Sequence, residues 1–217
     1  MSDRCILVLG GSFDPVHNGH VALANYFATL LHPEALRIVP AGDPWQKAGL
    51  RASADDRVEM VRAAFRHLAV PIEIDRQEIL RQGPSYSIDT LRALRTELGP
   101  RASIAFLLGA DQLERLQTWK DWQQLFDYAH VCAASRPGFT VDAARLAPEV
   151  AREMTRRTAT AAQLRTTPHG LAHIAANLAI DVSSTQIRQA LQDDGLPASL
   201  LPAGVLDYIK QHHLYRT

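Results

Sequence analysis

Cysteine is nearly absent from this 217-residue chain: Cys5 and Cys132 are its only two, and each sits in an apolar run that reads as a strand. A disulfide scaffold is thereby excluded, and both thiols read as small buried hydrophobes of a reducing compartment. Charge imbalance is absent as well, since 23 Lys and Arg face 23 Asp and Glu, with only a modest basic gathering at Arg152, Arg156 and Arg157. Duplex affinity rests on many phosphate-neutralising side chains, so no nucleic-acid partner is expected. No apolar run approaches the roughly 18 residues of a membrane span, and no signal-peptide pattern opens the chain. No membrane partner is expected, and the expected location is cytoplasmic. An apolar fraction of 47% with 21% charged residues carries no sign of disorder or low complexity. The length predicts one domain over residues 1–217, with a C-terminal helical portion over about 183–217.

What is present is alternation. Short runs rich in β-branched residues recur between longer stretches with helical spacing, the pattern of a parallel α/β sheet. Strands are predicted at Arg4 to Gly10, Leu36 to Pro40, Pro71 to Asp75, Ser103 to Leu108, His130 to Ser135 and, more weakly, Leu171 to Ile180. The first helix is predicted from Asn18 or Gly19, the second is opened by Ser53, and the third spans about Ser87 to Leu98 before the Gly99-Pro100 stop. Residues 142–160 read as helix that Pro148 interrupts or restarts, and two C-terminal helices are predicted at Ser184 to Gln192 and Pro202 to His212. Such alternation implies right-handed crossovers and a Rossmann-like, doubly wound open parallel sheet, α/β in class, with C-terminal helices. Ligands in these sheets bind beyond the carboxyl ends of the strands.

The informative residues fall at that edge. Gly10-Gly11-Ser12-Phe13-Asp14-Pro15-Val16-His17-Asn18-Gly19-His20 follows the first strand and runs into a helix. Glycines let the backbone approach a ligand, and free N–H groups at a helix start attract phosphate. His17 and His20, three apart, face the same way on a first helical turn and could grip a polyphosphate. The stretch is neither a Walker loop nor G-x-G-x-x-G. Zinc held by His17 and His20 would need further ligands, and no Cys or His stands at a suitable spacing. Near the C-terminus, Val182-Ser183-Ser184-Thr185-Gln186-Ile187-Arg188 sets hydroxyls before a helix, which by itself is a common N-cap.

These two stretches resemble the nucleotidylyltransferase superfamily marked by H-x-G-H: the first matches G-x-F-D-P-x-H-x-G-H at every fixed position, and the second is similar to S-x-T-x-x-R. Three further stretches are similar to bacterial nicotinate mononucleotide adenylyltransferases: Arg81-Gln82-Gly83-Pro84-Ser85-Tyr86-Ser87 with Thr90-Leu91, Gly109-Ala110-Asp111 with Thr118-Trp119, and Ser135-Arg136-Pro137-Gly138. The resemblance implies transfer of AMP from ATP to nicotinate mononucleotide, with Mg²⁺ accompanying ATP and no protein-held metal. It places Gly10, Gly11, Ser12, Phe13, His17, His20, Gly109, Asp111, Arg136, Ser183, Thr185 and Arg188 at ATP. Asp14, Lys47, Ser85, Tyr86, Ser87, Trp119 and Lys120 fall to the acceptor. His17, His20 and Arg188 carry the catalytic role. Asp111 is expected at a ribose, Trp119 on the pyridine ring, and the amides near Ser87 and Lys120 at the nicotinate carboxylate. One departure stands out: many members carry Pro-Pro-His-Lys where this chain has Pro44-Trp45-Gln46-Lys47, so that histidine's role does not transfer to Gln46.

The chemistry implied is undemanding in base. A phosphate monoester has a second pKa of about 6 and is largely dianionic near neutral pH. The site has to align that anion with the α-phosphorus, stabilise charge on the transferring group and favour departure of pyrophosphate. Pantetheine-phosphate adenylyltransferases share both end motifs and are the competing enzyme class, although they lack the Pro-Ser-Tyr-Ser and Thr-Trp stretches. A nucleotide-binding regulator of the same fold is the competing non-enzyme. Oligomeric state is open, with a homo-oligomer among the expectations.

Overall fold

Strand β1 (Cys5–Gly11) shows why the sheet is covered on both faces. Its residues alternate between two apolar layers, Cys5, Leu7 and Leu9 in one and Ile6 and Val8 in the other, as the two-residue period of a strand requires. A parallel strand buried on both faces reads as one apolar run, which is what residues 5–9 are. The computed structural model describes residues 4–44, 49–134, 146–175, 178, 182–193, 195 and 198–215. Lys47, Arg136 and the Trp45-Gln46 departure lie outside the described residues.

Six strands form one parallel sheet in the order β3-β2-β1-β4-β5-β6. After β1 come α1 (Asn18–Leu31), β2 (Ala35–Pro40), α2 (Ala54–Phe65), β3 (Ile72–Ile74), α3 (Gln77–Leu80) and α4 (Ser87–Leu98). The chain then returns across the sheet to β4 (Ser103–Leu108), on the other side of β1. The short helices α5 (Ala110–Leu113) and α6 (Leu125–Tyr128), with single 3₁₀ turns at Leu116–Thr118 and Trp122–Gln124, fill the stretch before β5 (His130–Ala134). Then follow α7 (Pro148–Arg156), α8 (Ala161–Thr166), β6 (Ala172–Ala175), α9 (Ser184–Gln192) and α10 (Ala203–Gln211).

Local chemistry accounts for several boundaries. Ser53 caps α2 by accepting from the Asp56 amide at 3.1 Å, and Asp55 and Asp56 place negative charge at the helix start. Pro148 occupies the first position of α7, so it starts that helix instead of interrupting one. Strand β6 is described over Ala172–Ala175, and much of the rest of the predicted Leu171 to Ile180 lies outside the described residues. The reversal of winding between β1 and β4 leaves a crevice past their carboxyl ends, a topological switch point. Leu9 of β1 stands beside Leu107 of β4 there, so the loops that leave these two strands emerge side by side.

Candidate active site

A cleft of about 440 Å³ opens at that switch point. Gly10, Gly11, Ser12, His17 and His20 enter it from the β1 loop, and Gly109 and Asp111 from the β4 loop. Trp119 follows from the irregular stretch, Ser85 and Ser87 from the start of α4, and Ser183 and Thr185 from the start of α9. Residues from across the whole sequence thus share one cavity.

His17 is the N-cap of α1 with extended backbone and His20 is its third helical residue, so the pair straddles the helix boundary instead of sharing one turn. The rings still meet, with centroids 3.8 Å apart. The His17 amide donates to His20 Nδ1 at 3.2 Å. In the neutral ring the proton then sits on Nε2, a donor suited to a phosphate oxygen. Gly19 is tightly enclosed: a Cβ there would lie 3.0 Å from Val182 and 3.1 Å from the His17 ring.

The α9 start carries the common N-cap and the cleft-lining hydroxyls together. Ser183 accepts from the Gln186 amide at 3.2 Å while Gln186 Oε1 takes the Ser183 amide at 2.8 Å, a reciprocal capping box. Thr185 is exposed at the cleft. Ser184 is buried and donates to the Pro15 carbonyl at 3.0 Å, which ties the helix to the β1 loop.

Around the start of α4 the Ser85 amide donates to the Asp43 carbonyl at 2.9 Å, so the loops after β2 and before α4 are joined. Ser85 Oγ and Trp119 Nε1 are buried polar atoms of the cleft lining with no hydrogen-bond partner among the described residues. Buried groups of this kind call for a partner, and a ligand in the cleft is one that would reach both. The Trp119 ring meets Phe106, another cleft residue, edge to face at 6.3 Å.

Five of the expected contacts lie outside the lining. Phe13, at a positive φ of 49°, is fully buried beneath the β1 loop, where its ring packs against Gly11. Asp14, expected at the acceptor, is buried as well; its carboxylate accepts from the Arg51 and Ala52 amides and from the Tyr215 hydroxyl. Burying that charge is tolerable only because those donors and the nearby Arg188 compensate it. Arg188 donates to the Asp14 carbonyl at 2.6 Å. Tyr86 and Lys120 pair with each other, the ammonium 4.5 Å from the ring centroid, and Lys120 also approaches Asp89 at 3.8 Å.

Glu78 was not anticipated. It lines the cleft while mostly buried, and its carboxylate accepts from Thr90 Oγ1 at 2.6 Å. Burial raises it above the usual carboxylate range against the opposing hydrogen bond from Thr90. No local pattern marks it, because α3 is one turn long and Thr90 reaches it from another helix. Arg57, whose Nη1 donates to the Ser12 carbonyl at 2.8 Å, was also missed. Its position on the apolar stripe of α2, four residues before Val61 and eight before Phe65, was a readable signal.

A parallel sheet with a phosphate-suited helix start at its switch point defines a nucleotide-binding α/β class. The chain belongs to the cytidylyltransferase-like family, whose model matches residues 8–190. A protein of Herminiimonas arsenicoxydans named "Probable nicotinate-nucleotide adenylyltransferase" is 65% identical over 214 residues, covering 99% of this chain and 98% of that protein. A protein of Dechloromonas aromatica with the same name is 41% identical, covering 96% of each. Among solved structures, Plasmodium falciparum nicotinic acid mononucleotide adenylyltransferase complexed with NaAD shares the fold, with a TM-score of 0.74 at 18% identity over 98% of this chain and 97% of that one.

Proposed function

We infer that the chain transfers AMP from ATP to nicotinate mononucleotide, giving nicotinate adenine dinucleotide and pyrophosphate, a step of NAD biosynthesis. The observation that carries this reading is the meeting, in one cleft, of the His17 and His20 rings with the orphaned donors Ser85 Oγ and Trp119 Nε1. The full-length relationship to proteins named for this activity supports the same assignment.

The acceptor's dianionic phosphate attacks the α-phosphorus, a new P–O bond forms, and the bridging α–β P–O bond breaks as pyrophosphate leaves. His17 and His20 meet the charge at the α- and β-phosphates, and the Gly11-Ser12 backbone cradles them. Arg188, with Ser183 and Thr185, receives the leaving pyrophosphate once it turns from Asp14. Gly109 and Asp111 serve a ribose. Trp119 stacks on the pyridine ring, and Ser85, the first amides of α4 and the Lys120 amide receive the carboxylate. Tyr86 caps no part of α4 with its side chain, which leaves the helix start for a ligand. Mg²⁺ held with the ATP substrate would supply charge neutralisation at its phosphates. Among the described residues no three His, Cys, Asp or Glu converge on a metal position. Among those residues no helix is long and apolar enough to cross a membrane; a cytoplasmic location is part of this proposal.

Pyrophosphate release with ATP and a set of mononucleotide acceptors tests the reading. Nicotinate mononucleotide should be preferred over its nicotinamide counterpart by about 10²-fold in kcat/KM, because an amide N–H₂ turned toward donors leaves buried groups unpaired. Trp119→Ala should weaken both acceptors alike. Equal use of the two acceptors by the wild type would sink the carboxylate assignment, and preference for phosphopantetheine would replace the acceptor altogether.

A further inference from the structure

Beneath the cleft lies a buried polar cluster whose Asp14 and Tyr215 have no part in the proposed chemistry. At its centre is Asp14, 2% exposed, whose Oδ2 accepts from the Arg51 amide at 2.9 Å and whose Oδ1 accepts from the Ala52 amide at 3.1 Å. A third donor comes from 201 residues away in the chain: the Tyr215 hydroxyl, in the segment after α10, donates to Oδ1 at 2.7 Å. Tyr215 is itself buried, packed with the apolar layer that holds Phe13, Val16 and Ile187. Arg57 stands on the same cluster through Ser12, and Arg188 rests on it through the Asp14 carbonyl, 3.9 Å from the carboxylate.

Two consequences follow. The hydroxyl remains a donor near neutral pH, since burial first and the Asp14 charge second raise Tyr215 well above the ordinary tyrosine range. Arg188 meanwhile has two claimants, the Asp14 group at rest and the phosphates of ATP in the working complex. Every proton donated to Asp14 lowers the negative charge density competing for that guanidinium. The donors on Asp14 also hold the backbone that leads into His17.

We propose that Tyr215 is a positioning residue for ATP: through Asp14 it sets how firmly Arg188 is held at rest and where the β1 loop sits. This rests on the adenylyltransferase reading. Tyr215 touches no reacting atom, so its signature is a shift in ATP recognition alone.

The test is steady-state kinetics of Tyr215→Phe with each substrate varied, alongside its thermal midpoint. KM for ATP should rise about tenfold, the scale of one hydrogen bond to a charged group, while KM for nicotinate mononucleotide stays near wild type. A purely structural anchor would lower the thermal midpoint or kcat and leave both KM values in place, and that outcome overturns the proposal. Should Tyr215→Phe fold poorly, 3-fluorotyrosine at position 215 keeps the ring and strengthens the donor. KM for ATP should then hold or fall, and a rise would overturn the proposal. ATP affinity by calorimetry separates the two readings. A wild type that binds ATP but releases no pyrophosphate with nicotinate mononucleotide defeats the acceptor assignment, whereas equal ATP affinity in wild type and Tyr215→Phe defeats the role of Tyr215.

Discussion

The Ser85 hydroxyl is shut away from solvent and has no partner among the described residues, while its amide is already engaged by Asp43. An unpaired buried polar group weakens the folded state by about 1 to 3 kcal/mol. Ser85→Ala should therefore leave the thermal midpoint unchanged or raise it, and at the same time raise KM for the acceptor by about tenfold. A lower midpoint with normal kinetics would make Ser85 a structural residue only. Arg188→Lys tests the other substrate. The guanidinium reaches the Asp14 carbonyl with one nitrogen and Thr185 Oγ1 with another at 3.4 Å, a spread that a single ammonium does not reproduce. Lysine should keep the charge yet raise KM for ATP by at least about tenfold through loss of bidentate phosphate binding; unchanged ATP kinetics would make Arg188 a loop brace. At this scale the sequence disclosed the residues that carry motifs. Glu78 and Tyr215 carry none, since each matters only through a partner distant in sequence, Thr90 and Asp14.

Helix α3 is four residues long, yet it places Glu78 in the cleft and its main chain lies hard against Gly42. A Cβ at Gly42 would fall 2.0 Å from the Glu78 carbonyl oxygen, a backbone atom with no freedom to swing aside. Gly42→Ala should therefore push α3 outward, lower stability by about 1 to 3 kcal/mol and weaken acceptor binding together; a denaturation midpoint equal to wild type would show that the loop accommodates the methyl group. The long elements were readable because their periodicity extends over enough residues. Helix α4 runs over Ser87–Leu98 as predicted, and α9 over Ser184–Gln192. Helices α3, α5 and α6 were not, because four residues complete barely one turn and show no repeat. Strand β6 is described over Ala172–Ala175, inside the predicted span.

His130, fully buried at the start of β5, links three segments: its Nε2 faces the Thr167 carbonyl at 2.9 Å and its Nδ1 accepts from the Leu171 amide at 3.1 Å. Burial lowers its pKa from 6.5 to about 4, and protonating Nδ1 would also turn this acceptor into a donor set against the Leu171 N–H. The unfolded chain takes up this proton as pH falls through 6.5, whereas the folded chain resists until about 4. Stability from this group is thus complete above pH 6.5 and lost toward pH 4, in all about 3 kcal/mol. Denaturation of wild type and His130→Asn at pH 7.5 and 4.5 checks it: the variant should start less stable and lose less on acidification, and parallel losses would remove His130 from the acid response. The sequence by itself determined the strand and helix alternation, the parallel sheet and the phosphate-suited loop, because side-chain period and backbone freedom act over neighbouring residues. Only the tertiary structure decided that β4 returns beside β1, and so which loops share a cleft. It alone sent Asp14 below that cleft and brought Tyr215 onto it, because burying a carboxylate depends on donors gathered from distant parts of the chain.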